Sequence, residues 1–250
     1  ASWKTVLLAI AGFGVLAGLT FALFGVGGRF SGQPPHLENA RVILGRPSFW
    51  IMACLFGLGS GAGLGVFAMT PTFLVAERGM DPRTVNTLVG LSRLASLGPI
   101  FVVGYLADRV GAQKTMAATL ALTGLTTAAL AATAPPVLLA GVFLQPVLSA
   151  CFFPVAWTAV GRITERRLHN LTISFLFPIS YGLGSGLVPY LFGLLGDRLS
   201  FAAGFFFYGL LLLGASALPF LLRLEPAAGP DAPAADAPAA DAPEPRGRTR

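Results

Sequence analysis

The chain has few charged residues and few of the side chains from which catalytic and metal sites are built. Charged residues make up 11% of its 250 positions, and it has 2 cysteines and 2 histidines. Cys54 and Cys151 lie in separate apolar stretches, which excludes a disulfide framework, and His36 and His169 lack the spacing of metal ligands. No Ser-His-Asp group or pair of acids falls in one layer, so we expect no catalytic residue, no metal and no cofactor.

Hydrophobic residues are abundant instead, at 54% of the chain, with a mean hydropathy of +0.73. Soluble domains are less apolar than this, and runs of about 20 apolar residues can cross a hydrocarbon core of roughly 30 Å. The sequence therefore predicts an all-α integral membrane protein. Its predicted transmembrane helices cover residues 4–26, 48–75, 84–107, 115–133, 137–160, 170–195 and 201–222.

Basic residues in the loops predict the orientation of these helices. If the long connection 28–47 lies inside, the inner loops hold more basic residues than the outer ones, as the positive-inside rule requires. The inner residues are Arg29, Arg41, Arg46, Arg109, Lys114, Arg162, Arg166, Arg167 and Arg223, and the outer ones are Lys4, Arg78, Arg83 and Arg198. We expect a bacterial inner (plasma) membrane protein with a cytoplasmic C-terminus. The net charge of +6 follows from this topology, so the lipid bilayer is an expected partner and nucleic acid is not.

The stretch "GLGSGAGLG", residues 57–65, has glycine at every second position. It falls inside a predicted span, where an irregular phosphate-binding loop would leave backbone groups unsatisfied. On a helix it predicts close packing against neighbours and a candidate bending point. One rail consists of Gly57, Gly61 and Gly65, and the opposite one of Gly59 and Gly63. GLGSG recurs at 182–186, and we assign Gly182, Gly184 and Gly186 the same role.

Two helix ends share the pattern G-x-L-x-D-R. "GYLADR" closes the third span at 104–109, and "GLLGDR" closes the sixth at 193–198. Three spans separate the two copies, so they end on opposite membrane faces. This arrangement predicts an inverted three-plus-three repeat, which is an architecture of secondary transporters.

The first copy continues as "GYLADRVGAQK", residues 104–114, which resembles the cytoplasmic loop signature of the major facilitator superfamily. The residues that fit are Gly104, Leu106, Ala107, Asp108, Arg109, Gly111 and Lys114. Ala112 and Gln113 depart from it, because the family usually has basic residues there. The resemblance implies a twelve-helix transporter built from two six-helix halves.

By this resemblance, residues 1–27 are transmembrane helix 6, 28–47 the cytoplasmic linker and 48–223 the six-helix C-terminal half. The N-terminal half of the same transporter would be its missing partner. Residues 224–250 form an Ala/Pro/Asp repeat with no apolar period, so we expect a disordered cytoplasmic tail.

The signature acids are candidate gating residues. Asp108 is expected beside the inner start of the helix that opens at Asn170, where free amides and the helix dipole stabilise a carboxylate. The resemblance implies that this contact holds the cytoplasmic side closed, with Arg109 adding charge pairs. Gly193, Asp197 and Arg198 are expected to act similarly on the outer face. The alternative is a loop cap that only orients the bundle.

Arg93 is the strongest candidate for a substrate contact. It lies about 13 Å along the helix axis from Thr84, near mid-bilayer, where a charge is costly and usually functional. In a central cavity its guanidinium would hold a carboxylate, nitrate or phosphate in bidentate fashion. Family members that carry anions often have an arginine at this depth, and the spans here contain no acid for a proton or an organic cation. The equally weighted alternative is that Arg93 pairs with an acid of the other half, or with helix carbonyls.

Other polar residues of the spans are also assigned to a substrate site, namely Asn86, Ser96, Gln145, Ser180 and Tyr181. For Gln145 a plain interhelical hydrogen bond is equally favoured. Pro146 and Pro154 predict that helix 137–160 is bent or broken. Trp157 lies near the inner interface, where an aromatic belt accounts for it.

These observations predict a secondary active transporter that moves a small solute by alternating access. An anion is favoured as the substrate, with a proton or counter-ion as the coupling partner. Three alternatives remain: an exporter of drug-like or hydrophobic compounds, a membrane-embedded enzyme, and a non-transporting half-size partner. The enzyme would need clustered acids or histidines at an interface.

Overall fold

The computed structural model describes residues 3–25, 37–164 and 168–224, and every regular element in these ranges is a helix. The chain divides into two units, Ala1–Pro34 and Pro35–Arg250. The first contains α1 (Trp3–Phe24), which is 22 residues long and apolar enough to cross a membrane. His36, residues 28–36 of the predicted linker and residues 225–250 of the predicted tail 224–250 fall outside the described residues.

The second unit is a bundle of ten α-helices among the described residues. They are α2 (Leu37–Leu44), α3 (Pro47–Ser60), α4 (Val66–Ala76), α5 (Pro82–Ala95), α6 (Pro99–Val110), α7 (Ala112–Ala129), α8 (Pro135–Val160), α9 (His169–Tyr181), α10 (Val188–Arg198) and α11 (Phe201–Ala215). A π-helical turn joins α3 to α4 (Gly61–Gly65), a second joins α9 to α10 (Gly182–Leu187), and a 3₁₀ turn, Leu218–Leu221, follows α11.

Six helical segments among the described residues are long and apolar enough to cross a membrane. They are Trp3–Phe24, Pro47–Ala76, Pro82–Val110, Pro135–Val160, His169–Arg198 and Phe201–Leu221. The predicted all-α membrane fold is therefore confirmed. The remaining one of the seven predicted spans, 115–133, corresponds to α7, which does not meet the same criterion of length and hydropathy.

Threonines explain why α7 is less apolar than its neighbours and still packs inside the bundle, between α8 and α11. Thr119, Thr123 and Thr127 are buried. Their hydroxyls donate to the carbonyl four residues earlier, at 2.9, 2.7 and 2.7 Å. Each polar group is thus satisfied within the helix, and only methyl groups remain for the neighbours.

Two glycines bring the backbones of α7 and α11 together. A Cβ atom on Gly209 would lie 2.6 Å from both the amide nitrogen of Ala128 and the carbonyl oxygen of Gly124. A Cβ on Gly124 would lie 2.7 Å from the carbonyl oxygen of Gly209. Small residues that permit such contact are how helices associate where lipid tails remove the hydrophobic driving force.

The two GLGSG segments make a second crossing of this kind. A Cβ on Gly184 would lie 2.5 Å from the Gly57 carbonyl oxygen and from the Gly61 nitrogen. Gly65 packs against Val188 of α10, and the opposite rail faces α8, where a Cβ on Gly59 would meet the Phe152 ring at 2.6 Å.

The packing role predicted for Gly182 and Gly186 is wrong, since a Cβ on either would have no described neighbour within 4 Å. Only the middle glycine of the second segment, Gly184, faces the helix that it crosses.

The prolines of helix 137–160 predicted a bent or broken helix there, but the observed interruption of regular helix lies in another span. α8 is continuous through Pro146 and Pro154. The span Pro82–Val110 is interrupted instead, at residues 96–98, between α5 and α6. Pro99 begins α6, and proline cannot donate the hydrogen bond that would continue α5 into it.

Charged residues at the end of α4 cap two other helices. The Glu77 carboxylate accepts hydrogen bonds from the amides of Phe201 and Ala202 at the start of α11. The Arg78 guanidinium donates to the carbonyls of Ala131 and Ala132, both at 2.9 Å, just beyond α7. Each charge thus lies at the helix end whose dipole it complements.

We expect Gly209→Val to weaken the α7–α11 contact, because a side chain there would overlap the α7 backbone. Overpacking of this kind typically costs about 1–3 kcal/mol. Thermal unfolding in detergent is the measurement. The control is Gly214→Val in the same helix, since a Cβ at Gly214 has no neighbour within 4 Å. Equal melting temperatures for the two variants would contradict this packing.

We expect Glu77→Gln to destabilise the protein by about 0.5–2 kcal/mol, the usual effect of losing an N-terminal helix cap. The neutral side chain removes the negative charge at the start of α11 and leaves one oxygen to accept from the two α11 amides. Thermal unfolding at low and high salt should show a loss that shrinks as salt screens the charge. Asp197→Asn is the control, since Asp197 is exposed at the end of α10. A Glu77 variant that melts with the wild-type protein at low salt would rule out the cap.

Candidate functional site

A cavity of about 410 Å³ lies among α3, the first π-helical turn, α5, α6, α8 and α9. Its lining residues are Phe56, Gly63, Leu64, Arg93, Ile100, Ser149, Ala150, Phe153, Pro154, Trp157, Phe177 and Tyr181. Arg93 is the one charged residue in this lining. The cavity therefore combines a single guanidinium with an apolar, aromatic wall.

Arg93 is fixed by two contacts, with Gly63 and with Phe67. One guanidinium nitrogen, Nη2, donates a hydrogen bond to the carbonyl of Gly63 in the first π-helical turn. The guanidinium carbon lies 4.0 Å from the centroid of the Phe67 ring, which is a cation–π contact. A guanidinium carries five N–H groups, and the other hydrogen-bonding nitrogens of Arg93 have no hydrogen-bond partner among the described residues.

Polar side chains of three other helices bond to carbonyls of the first glycine-rich segment. Besides Arg93 on Gly63, Gln145 donates to the Ala62 carbonyl at 2.9 Å, and the Tyr208 hydroxyl donates to the Leu58 carbonyl at 2.8 Å. A π-helical turn disturbs the regular hydrogen-bond ladder, and in a bilayer no water replaces a missing partner. These side chains therefore stabilise an irregular backbone at membrane depth.

Three aromatic rings form a stacked row along one wall of the cavity. The Trp157 and Phe177 rings have centroids 5.2 Å apart and planes inclined by 30°, and the Phe177 and Tyr181 rings are 5.3 Å apart at 20°. We call these three residues the aromatic ladder. Phe177 and Tyr181 are one turn apart on α9, so their rings lie on the same helix face. Phe56 packs edge-on against Trp157 at 4.8 Å.

The structure brings only part of the predicted substrate site together. Arg93 and Tyr181 line the cavity, whereas Asn86 is exposed on α5 and is not part of the lining. The Ser96 hydroxyl donates a hydrogen bond to the Arg93 carbonyl at 2.6 Å, and Ser96 is not part of the lining. Ser180 is buried with its hydroxyl oxygen 3.5 Å from the Ala53 carbonyl, at the α3–α9 interface.

The sequence left two roles open for Gln145, a substrate contact and an interhelical hydrogen bond. Its side chain is 3% exposed and hydrogen-bonded to Ala62, and it does not line the Arg93 cavity. Its observed role is interhelical hydrogen bonding.

Trp157 and Phe177 were missed as site residues. Trp157 was interpreted as part of an interfacial belt, whereas in the structure its indole lines the cavity and stacks on Phe177. The available signal was spacing: Phe153 and Trp157 on one helix, and Phe177 and Tyr181 on another, are each four residues apart and so share a face.

The signature residues lie at the end of α6 and the start of α7. The expected contact of Asp108 with the helix start near Asn170 is not made in this structure: Asp108 is exposed, and none of the described residues bonds to it. Arg109 lies over the Tyr105 ring at 4.7 Å, and no acid among the described residues pairs with it. Lys114, Asp197 and Arg198 are exposed as well.

Two other positions of this region do have structural reasons. Gly111 joins α6 to α7 with φ of +101°, a backbone conformation that favours glycine. Gln113, which departs from the family pattern, donates a hydrogen bond to the Leu222 carbonyl at 2.7 Å. By contrast, a Cβ on Gly104 or on Gly193 would have no described neighbour within 4 Å.

A second cavity, of about 340 Å³, lies among α3, α10 and α11 and has no charged side chain in its lining. Its polar atoms are those of Cys54 and Tyr208, and the Tyr208 hydroxyl is already bonded to Leu58. It offers no group that would orient a polar ligand, so the Arg93 cavity is the better candidate site.

The comparison with protein families agrees with the signature residues. The family model described as Major Facilitator Superfamily matches residues 67–247, a range that includes Arg93, the 104–114 signature and α5 to α11. The search of curated proteins found no match. Because the family model covers more than half of the sequence, the chain belongs to the major facilitator superfamily.

Proposed function

We propose that this membrane transporter moves a small anion by alternating access and that Arg93 binds the anion. The observation that carries the proposal is that Arg93 is the one charged residue lining the larger cavity. Charge-assisted hydrogen bonds from a planar guanidinium are the strongest recognition that a protein offers a carboxylate, nitrate or phosphate.

The contact of Arg93 with Gly63 is compatible with this role. It uses one N–H of the guanidinium, and the contact with Phe67 is a cation–π contact with the guanidinium carbon 4.0 Å from the ring centroid. An anion in the cavity would therefore meet a guanidinium whose position is already fixed, which lowers the cost of ordering it on binding. If bonding to the Gly63 carbonyl were the whole function of Arg93, an uncharged side chain would be enough. The uncharged Gln145 satisfies the neighbouring carbonyl, that of Ala62.

A second candidate is an exporter of uncharged, drug-like compounds. The observation that favours it is the aromatic lining, with Phe56, Phe153 and the aromatic ladder in one cavity. The two candidates differ in whether Arg93 and the charge of the ligand are needed for binding.

Alternating access requires that helices around the site change their arrangement. The paired π-helical turns are the proposed hinge, since π-helical turns are frequent at functional sites and glycine costs helix stability. The cytoplasmic signature at 104–114 is the proposed gate. In this proposal Asp108 acts in a state other than the one described here, because in this one none of the described residues bonds to it.

The remaining parts of the proposal concern the whole transporter. The chain would supply helix 6, the linker and the C-terminal half, and its partner would be the N-terminal half of the same protein. The membrane would be a bacterial inner membrane with the C-terminus in the cytoplasm, and a proton or counter-ion would drive transport.

We expect Arg93→Ala to weaken anion binding roughly 10- to 150-fold, as the loss of charge-assisted hydrogen bonds implies. Arg93→Lys should have an affinity between those of the wild-type protein and Arg93→Ala, because lysine keeps the positive charge and loses the planar, bidentate set of donors. Calorimetric titration of the intact protein in nanodiscs with nitrate, phosphate, acetate and benzoate is the measurement. Arg83→Ala, an exposed arginine at the start of α5, is the matched control. If every anion binds wild-type and Arg93→Ala protein equally, the anion proposal fails.

We expect Gly184→Ala to slow the change between inward and outward states, because the added Cβ meets the backbone at Gly57 and Gly61. The measurement is labelling of Ala150→Cys, a half-buried residue of the cavity lining, by an impermeant thiol reagent, applied to either membrane face of a Cys54→Ser/Cys151→Ala protein. Labelling from one face should fall several-fold while labelling from the other persists. Gly186→Ala, in the same turn but with open space around its Cβ, is the control. Unchanged rates from both faces would contradict the hinge.

A further inference from the structure

We infer that the transported anion is a planar aromatic one, with its ring against the aromatic ladder and its carboxylate at Arg93. This inference rests on the proposed function, in which Arg93 binds an anion. It adds the chemical class of the substrate.

The ladder differs from the aromatic packing in the core of the bundle. Phe73, Phe192 and Phe205 are at most 2% exposed, and the Phe192 and Phe205 rings meet edge to face. The ladder rings meet nearly face to face, and Phe177 and Tyr181 are 40% and 42% exposed. The rings of the core are covered by one another, whereas the ladder leaves ring surface uncovered inside a cavity.

A flat ring fits such a surface better than an aliphatic chain does. Aromatic rings favour offset-stacked or edge-to-face contact at centroid distances of 4.5–7 Å. The ladder spacings of 5.2 and 5.3 Å lie in this range, so a further ring can continue the same pattern. The cavity of about 410 Å³ falls within the usual size of a site for a drug-sized ligand.

The same lining disfavours a small inorganic anion. Nitrate or phosphate would lose hydration and find Arg93, the Tyr181 hydroxyl, the Trp157 indole N–H and Ser149, whose own proton is donated to the Pro146 carbonyl at 3.1 Å, in a lining that is otherwise apolar. Buried charge that is not fully hydrogen-bonded is costly. An aromatic carboxylate places its charge at one end, where Arg93 lies, and presents apolar surface to the rest.

The Tyr181 hydroxyl extends this specificity. Among the described residues it has no hydrogen-bond partner, and its ring is the end of the ladder furthest from Trp157 along the stacked row. A hydroxyl or similar polar group on the ring of the substrate could bond to it. Ring-hydroxylated aromatic acids are therefore included in the proposed class.

The test compares four probes on the intact protein in nanodiscs by calorimetric titration. Benzoate is aromatic and charged, cyclohexanecarboxylate is charged without an aromatic face, benzyl alcohol is aromatic without charge, and nitrate is a planar inorganic anion. We expect benzoate to bind roughly 3- to 10-fold more tightly than cyclohexanecarboxylate, as one added stacking contact implies. Benzyl alcohol and nitrate should bind more weakly than either.

The variant Phe177→Leu keeps an apolar side chain and removes the middle ring of the ladder. It should remove the preference for benzoate over cyclohexanecarboxylate and leave the dependence on Arg93 in place. The control is Phe206→Leu on α11, an exposed phenylalanine outside both cavities. Thermal unfolding of both variants checks that they fold, and the comparison of probes on wild-type protein tests the inference independently of either.

Each outcome separates the inference from the proposed function. Equal, Arg93-dependent binding of benzoate and cyclohexanecarboxylate, or tighter binding of nitrate, would overturn the aromatic class and leave the anion proposal standing. Benzyl alcohol binding as tightly as benzoate, or benzoate binding that ignores Arg93→Ala, would overturn both and favour an exporter of uncharged compounds. The preference for benzoate together with its loss in Phe177→Leu would support both.

Discussion

The two GLGSG segments can cross only because Gly184 has no side chain, since a Cβ there would lie 2.5 Å from backbone atoms of Gly57 and Gly61. This contact brings α3 and α9 together, and with them the two walls of the cavity. Gly63, which accepts the hydrogen bond of Arg93, lies in the π-helical turn on one side. Tyr181, the last ring of the ladder, directly precedes the π-helical turn on the other. The charged group and the aromatic surface are therefore placed by the same crossing.

An irregular backbone inside a membrane needs hydrogen-bond partners from within the protein. Here Tyr208, Gln145 and Arg93 supply them to one glycine-rich segment. The ends of the bundle are fixed by the same principle, because Glu77 and Arg78 cap α11 and α7, and Gln113 bonds to the carbonyl of Leu222. The departure of Gln113 from the basic residue usual in the family has a structural reason in this contact. A neutral amide can hold the segment that follows α11 without adding another charge.

The sequence predicted those features that depend on a single residue or on the spacing of residues along one helix. Apolar runs gave the membrane fold, and the period of the glycines indicated which face of α3 would meet another backbone. Arg93 stood out because a charge at that depth is costly. Features that depend on the relative position of helices were not accessible. The ladder joins residues from α8 and α9, and the Glu77 cap joins α4 to α11. The interruption at residues 96–98 was not predicted, because the two prolines inside α8 were the stronger sequence signal for a broken helix. Asp108 was assigned a contact that the described state does not make.

A structure of the intact protein with benzoate bound would show directly whether Arg93 and the aromatic ladder form one binding site. We expect a carboxylate within hydrogen-bonding distance of the Arg93 guanidinium, at about 2.7–2.9 Å, with the benzoate ring stacked on Phe177 or Tyr181. An acidic side chain of the N-terminal half in contact with Arg93, and benzoate absent from the cavity, would contradict it. In that case Arg93 joins the two halves and is not a substrate contact.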